Sequence, residues 1–408
     1  MSNLARHGDD DLGFEADSEF GSAYDEYEYD EYSCSEYGYE YGDGDDDQLA
    51  EAYPRALPLE LEHALVGLMV DVQQVARCAF RGVGSRARAV TWGVLAGLLP
   101  KWHGDRPAAL ANHHLGYVYA VEAAAVRLAP SVMDRIDTDV ERTLPRACVF
   151  SRPPLSISLA RMLRVYAHAR ADGQYVQGIS DLAGLMLVQY LASVSRATSG
   201  PHADALAAAQ PVLWWASIGE LAASVPLEFL MAVEAEAFAC LDSLLAASGL
   251  RGLYTPTQPR VLELLDAVDV LLENELPALA AALAARGISS PLYAHRWIAC
   301  LFARELPVGV LGPIWDALFA YRALEANRLG AFVVALCIEL LRMYGKPLLA
   351  PDLTFEAAIH HLQHLPLDSW GPADAVRFTA RAAAAEAIRH RAHLLVEAEA
   401  EADPSPDP

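Results

Sequence analysis

Two short stretches of this chain carry side chains in an arrangement that could do chemistry on a phosphoryl group. Ile136-Asp137-Thr138-Asp139-Val140-Glu141-Arg142-Thr143 offers an arginine that can neutralise charge on a group in transfer. Tyr175-Val176-Gln177-Gly178 offers a glutamine that can orient a water. On a helix, positions 136, 139 and 142–143 share one face. Ile136 would anchor that face in the core, and Asp139, one turn before Arg142, is placed to pair with it and pre-orient the guanidinium. Gly178 after the glutamine would let the backbone approach another chain closely. Taken alone, each stretch also has a plainer reading. The first is an ordinary i,i+3 surface ion pair, the second a loop-to-helix junction with a polar cap.

The elements that would position these residues are helical. From about residue 54 the sequence is rich in alanine and leucine at helical spacing. Leu61, Leu65, Leu68 and Val72 fall on one face, as do Leu159, Leu163, Tyr166 and Ala167, and again Leu262, Leu265, Val268, Leu271 and Leu272. Runs of β-branched residues alternating with polar ones are nearly absent. Pro and Gly punctuate the pattern at Leu99-Pro100, Arg152-Pro153-Pro154, Ser199-Gly200-Pro201 and Thr255-Pro256. An all-α fold with a dozen or more helices is expected, with no internal repeat at solenoid periods.

Two further blocks accompany the two stretches, and the second stretch extends on both sides. Arg81-Gly82-Val83-Gly84-Ser85-Arg86-Ala87-Arg88-Ala89-Val90-Thr91-Trp92 opens the series. Gly173-Gln174 precedes Tyr175, and Ile179-Ser180-Asp181-Leu182 follows Gly178. The longest runs from Pro291 through Tyr293, Trp297, Leu301-Phe302, Arg304-Glu305 and Pro307 to Leu311, Trp315-Asp316 and Leu318-Phe319. These blocks, in this order and at these distances, resemble the TBC domains, the GTPase-activating proteins of Rab-type small GTPases. Gly82, Arg88 and Trp92 match the opening R-G-I-P-x-x-L-R-x-x-x-W, with Gly84 and Ala87 departing from it. Ile136, Asp139 and Arg142 match I-x-x-D-x-x-R, which Thr143 and Pro145 extend. Tyr175 to Leu182 matches the glutamine motif, with Ile179 for methionine and Gln174 in the slot of a glycine. Glu236-Ala237-Phe238 resembles a further helix motif, with Ala239 where a tryptophan is usual. The resemblance covers about residues 75–365.

It implies an all-α, two-lobed, V-shaped domain that accelerates GTP hydrolysis by a Rab-type partner. Arg142 and Gln177 would be supplied in trans as arginine and glutamine fingers. Asp139, Ile136, Tyr175 and Gly178 would support them. Gly82, Arg88, Trp92, Trp297, Trp315 and Asp316 would form the scaffold. The chain would carry no cofactor of its own, since GTP and magnesium belong to the GTPase. The alternative is a catalytically silent scaffold that binds a small GTPase or an effector. The expected organisation is an acidic, Tyr-rich disordered tail over 1–53, a leading helix over 54–74, an N-lobe with the fingers over 75–250 and a C-lobe over 251–385. The end of a terminal helix and an acidic tail would fill 386–408. The linker from Arg196 to Leu230, with Trp214-Trp215, is longer than the family's usual spacer.

Charge and composition exclude other classes. The formal charge is −24, and residues 1–53 hold 18 acidic residues against Arg6 alone. That segment therefore carries −17, and −7 is left for the rest. No basic stripe suits nucleic acid or an anionic bilayer. The six cysteines, Cys34, Cys78, Cys148, Cys240, Cys300 and Cys337, form no C-x-x-C pair, and five lie among apolar residues as expected of buried thiols in a reducing compartment. His113-His114 and His360-His361 with His364 lack a third ligand and an acidic base, so no metal site is expected. There is no G-x-x-x-x-G-K-[ST], G-x-G-x-x-G or G-x-S-x-G. The most apolar run, 331–341, is short and broken by Glu339. With no secretory signal in view, a cytoplasmic protein is expected, recruited to membranes, if at all, through its partner.

Deleting residues 1–53 is expected to leave the fold and the maximal single-turnover rate nearly unchanged, because the segment has no aliphatic stripe to dock. Its charge should alter encounter rates in a salt-dependent way. Comparing full-length and truncated protein at low and high salt checks this. Unfolding of the truncated protein, or a salt-independent collapse of its rate, would make the segment part of the folded domain.

Overall fold

Proline at the first turn and glycine or a polar cap at the ends delimit many of the helices. The computed structural model describes residues 59–144, 149–170, 175–195, 211–247, 249–255 and 257–402. The described residues lie in one unit, Asp45–Pro408. They form sixteen α-helices, six short 3-10 segments and no strand beyond an isolated bridge between Met69 and Trp102. The first half contains α1 (Leu59–Val66), α2 (Val72–Ala79), α3 (Arg88–Ala96), α4 (Arg106–Arg127), α5 (Pro130–Glu141), α6 (Leu155–Ala169), α7 (Ile179–Ser195), α8 (Pro211–Ser224) and α9 (Leu227–Ala247). The second contains α10 (Pro259–Glu275), α11 (Pro277–Ala284), α12 (Ala294–Ala299), α13 (Val308–Leu324), α14 (Leu329–Tyr344), α15 (Phe355–Gln363) and α16 (Pro372–Ala402). Pro107, Pro130, Pro259 and Pro277 each occupy a first helical turn, where a missing N–H costs nothing. Asp71 caps α2 by accepting from the Gln73 and Gln74 amides at 2.9 and 3.2 Å.

The core is built around helices that are apolar on every side. In α13, Val308 and every residue from Val310 to Tyr321 is buried, and α7 is buried over most of its length. α13 packs on α2, α3 and α16, so it joins the first and second halves of the sequence. α7 packs on α9, α6 and α3, and α5 lies on α6. These contacts place the start of α7 and the end of α5 on the same scaffold.

Two of the expected faces come out differently. Leu61 and Leu65 are buried, but Leu68 is 74% exposed. α1 stops at Val66 before Gly67, and the chain runs extended through the Met69 bridge before α2 begins. One face cannot span that break. In α10 the buried set is Val261, Leu264, Leu265, Val268 and Leu272, while Leu262 is exposed and Leu271 half-buried. Successive leucines offered two neighbouring stripes, and packing against α14 and α12 selects one. The stripe at Leu159, Leu163, Tyr166 and Ala167 is buried throughout. Trp215 is half-buried against the core. Residues 1–53 and 196–210, together with Pro145, Gln174, Cys34 and Cys148, lie outside the described residues.

Candidate functional site

α5 turns Val132, Ile136, Asp139 and Val140 inward, and Ile136 is fully buried, as expected of its anchor. The helix ends on Arg142, whose N–H donates to the Asp139 carbonyl at 3.1 Å and whose side chain is exposed. Thr143 Oγ1 donates to the same carbonyl at 2.8 Å and closes the last turn. The chain then passes through Leu144, a non-glycine residue at φ 42°, a conformation that costs energy and persists only where its surroundings hold it. They do: the Leu144 amide donates to Asp181 Oδ1 at 3.0 Å.

Asp139 does not form the expected ion pair with Arg142. It is 8% exposed and turned inward beside Tyr175, Asp181 and Arg304. Burial pushes its carboxyl upward from the ordinary value. The Tyr175 hydroxyl opposes that shift, Asp181 adds to it, and the Arg142 and Arg304 guanidinium groups oppose it. Arg142 is thus near enough to act on Asp139 through the field, while its side chain is exposed at the helix end.

The second stretch enters through Tyr175, which is buried. Its hydroxyl lies beside Asp139, Ser180 and Asp181, and burial pushes its ionisation far up. Gln177 stands exposed in the turn, followed by Gly178 at φ 106°. A side chain at 178 would find room, 3.9 Å from the Ala299 carbonyl and Tyr254 Cε1, but the positive φ would strain it. The neighbouring wall is fixed by Tyr254, whose hydroxyl donates to the Ala299 carbonyl at 2.6 Å.

Asp181 holds these pieces together. Fully buried in the first turn of α7, it accepts from Leu144, from Arg304 Nε at 2.8 Å and from the Cys300 thiol at 3.7 Å. Arg304 also reaches the Arg142 carbonyl through Nη2 in a long contact of 3.5 Å. The block containing Arg304 reads from sequence as scaffold alone. Its Glu305 fits that reading, accepting from Arg296 Nε at 2.5 Å, but Arg304 is directed at the arginine segment. The signal for both residues was present in Ser180-Asp181-Leu182 and Arg304-Glu305. What the sequence lacked was the contact across 123 positions. Cys300 departs from the view of the thiols as inert apolar fillers, since it faces a carboxylate; burial and Asp181 push its ionisation far up. Cys240 and Cys337 are buried and Cys78 half-buried, all free.

The scaffold residues form one buried network. Asp316, with no exposure, accepts from Arg88 Nε at 2.9 Å, Arg88 Nη2 at 3.1 Å, Trp92 Nε1 at 2.8 Å and the Val83 amide at 2.8 Å. Arg88 also donates to Gln189 of α7 at 2.9 Å and to the Val83 carbonyl at 2.7 Å. Gly82, at φ 86°, turns the chain into this network, and Gly312 leaves space that the Arg88 guanidinium fills. Trp92 stacks on Phe319 at 4.9 Å, and Trp315 donates to the Leu301 carbonyl at 3.3 Å. Trp297 is buried at 5.3 Å from Tyr293. Burial raises the Asp316 carboxyl and Arg88 opposes the rise. Arg88→Ala is expected to cost about 3–5 kcal/mol, because it strands a buried carboxylate. Denaturant unfolding measures this, and a loss near zero would contradict the network.

Elsewhere, Glu236 Oε1 accepts from His114 Nε2 at 3.0 Å, while Ala237 is buried and Phe238 half-buried. His360 and His364 stack ring on ring at 4.4 Å. Among the described residues no helix is long and apolar enough to cross a membrane.

The family model for the Rab-GTPase-TBC domain matches residues 85–349. Human TBC1 domain family member 22A is 24% identical over 319 residues, covering 77% of this chain and 57% of that protein. The GTPase-activating protein gyp1 of Schizosaccharomyces pombe is 25% identical over 321 residues, covering 75% of this chain and 56% of its own. The chain thus spans less than two thirds of the length of these relatives. Among solved structures, the Ypt/Rab-GAP domain of Gyp1p superposes with a TM-score of 0.71 at 21% identity, over 81% of this chain and 98% of that one, which identifies a shared all-α fold. The matched span contains the arginine and glutamine stretches together with Asp181 and Arg304, and the chain belongs to the Rab-GTPase-TBC domain family.

Proposed function

We propose that this chain activates GTP hydrolysis by a Rab-type small GTPase, supplying Arg142 and Gln177 in trans. The supporting observation is that both side chains stand exposed at the ends of two segments joined through Asp181, and among the described residues neither forms a hydrogen bond or ion pair. An arginine and a glutamine left unsatisfied beside a rigid junction are available to a second molecule. Hydrolysis of a phosphoanhydride needs charge neutralisation and a positioned water, with little covalent work for the protein. Arg142 stays charged and presents a planar fork that matches phosphate oxygens. Held at a helix end, it would stabilise charge that develops between the leaving and transferring groups. Gln177, in the turn ahead of α7, would hold the attacking water through its amide. The nucleotide and its magnesium arrive with the GTPase, and the chain's own part is positional and electrostatic. The lobe over 75–250 would present both fingers, and that over 251–385 would complete the groove for the partner.

A single-turnover assay over a panel of GTP-loaded Rab-type GTPases tests this. Stimulation of at least one member on the order of 10³–10⁵-fold is expected. Binding to members of the panel without stimulation of any would overturn the proposal in favour of a silent scaffold.

A further inference from the structure

We infer that Asp181 and Arg304 are positioning residues for the arginine finger: the buried carboxylate and its guanidinium partner clasp the segment that carries Arg142 and set where its side chain emerges. The inference rests on the proposed activity and adds two side chains that act through others.

Three observations carry it. The first is the bonding of Asp181. A fully buried carboxylate that accepts from a backbone amide, a guanidinium and a thiol has its place determined from several sides. It lies in the first turn of α7, a few residues after Gln177, so the same helix end governs both fingers. The second is the conformation of the finger segment. Arg142 terminates α5 and Leu144 sits at positive φ, a combination that bends the chain sharply just beyond the arginine. The bond from the Leu144 amide to Asp181 holds that bend. The third is the direction of Arg304. Its Nε is committed to Asp181, and its Nη2 approaches the Arg142 carbonyl. A rigid planar fork holds its donors at the spacing of the two acceptors, a spacing that the compact ammonium of lysine does not provide. Arg304 follows Leu301 and Phe302, both at positive φ and both fully buried, so its own origin is rigid.

The clasp has a physical purpose. Arg142 is exposed and makes no ion pair with Asp139, and among the described residues no group bonds its guanidinium. Direction must come from the backbone at its base. A finger displaced by about 1 Å at the moment of reaction can lose on the order of 100-fold in rate.

The test uses the full chain with Asp181→Asn and Arg304→Lys. Asp181→Asn keeps the shape of the side chain, removes the charge opposite Arg304 and leaves the Leu144 amide a neutral acceptor, about half as strong. Arg304→Lys keeps the charge opposite Asp181 and removes the arm toward Arg142. The probe is the GTP-loaded Rab-type GTPase that the unaltered chain stimulates. For Asp181→Asn the maximal single-turnover rate is expected to fall ~100-fold, with the half-saturating concentration hardly changed. Hydrogen exchange at the Leu144 amide should quicken while the core of α13 stays protected. Arg304→Lys should show a smaller loss of the same kind, and it carries the test alone if Asp181→Asn does not fold. A full maximal rate with a loosened Leu144, or an unchanged Leu144 amide, would overturn the inference. So would a raised half-saturating concentration with the maximal rate intact, since Arg304 would then be touching the GTPase. If the unaltered chain stimulates no GTPase, the proposed activity fails and the positioning role with it. The exchange measurement then decides the clasp by itself.

Discussion

Arg142→Ala is expected to abolish stimulation of GTP hydrolysis, a loss of ~10³–10⁵-fold in rate or roughly 4–7 kcal/mol of barrier. The protein should remain folded, because the Arg142 side chain is exposed and bonds to nothing among the described residues. What holds the end of α5 is its backbone N–H to Asp139, with Thr143 and Leu144 beside it. Removing an exposed side chain of this kind ordinarily changes stability by less than about 0.5 kcal/mol. Arg142→Lys should rescue little: the charge remains, but the fork that engages two phosphate oxygens is gone. Single-turnover hydrolysis by the GTPase, with and without each variant, provides the comparison, and thermal unfolding verifies the fold. Undiminished stimulation by Arg142→Ala would remove the proposed mechanism.

The second large effect is expected at Gln177. Gln177→Ala should lower the maximal rate by ~10²–10³-fold, the usual cost of losing one positioned polar group at a reacting centre. The turn should survive, since its geometry comes from Gly178 at φ 106° and from the buried Tyr175 before it. A sharper measurement replaces the partner's own catalytic glutamine. If Gln177 orients the water as proposed, the unaltered protein should still stimulate that altered GTPase, and Gln177→Ala should not. Stimulation that depended wholly on the GTPase's glutamine would show that Gln177 had been given the wrong role.

Arg142 and Gln177, the two candidate finger residues, were legible in the same way. Both belong to stretches in which residue type and local spacing carry the signal. Ile136 three positions before Asp139, with Arg142 at the next turn, defines a helix face by arithmetic alone. The glycine after Gln177 marks a backbone conformation that other residues avoid. Such short-range regularities follow from helix geometry and steric limits on the chain, and they need no knowledge of the rest of the fold. The buried tryptophans were legible for a similar reason: large aromatic rings on apolar helix faces have few places to go except inward.

Other features depended on which surfaces met. The leucines of α10 fit two adjacent stripes, and the neighbouring helices chose between them. The paired role drawn for Asp139 and Arg142 assumed that neighbours on a helix face would bond to each other. Instead Asp139 is drawn inward among Tyr175, Asp181 and Arg304, where contacts from distant sequence compete for it. Arg304 looked like part of a packing motif because its nearest neighbours in sequence are packing residues.

The sequence by itself therefore determined the helical class, through periodicity and composition, and the family, through the resemblance of its motif blocks, which also singles out Arg142 and Gln177 as the candidate fingers. Only the tertiary structure decided that Arg142 stands free of Asp139, that Asp316 binds Arg88 and Trp92 at the centre of the scaffold, and that Asp181 with Arg304 grips the arginine segment. The bonds of Asp316 to Arg88 and of Asp181 to Arg304 join groups more than a hundred residues apart, and such partners are selected by how the helices pack, a property of the whole chain that local spacing does not contain.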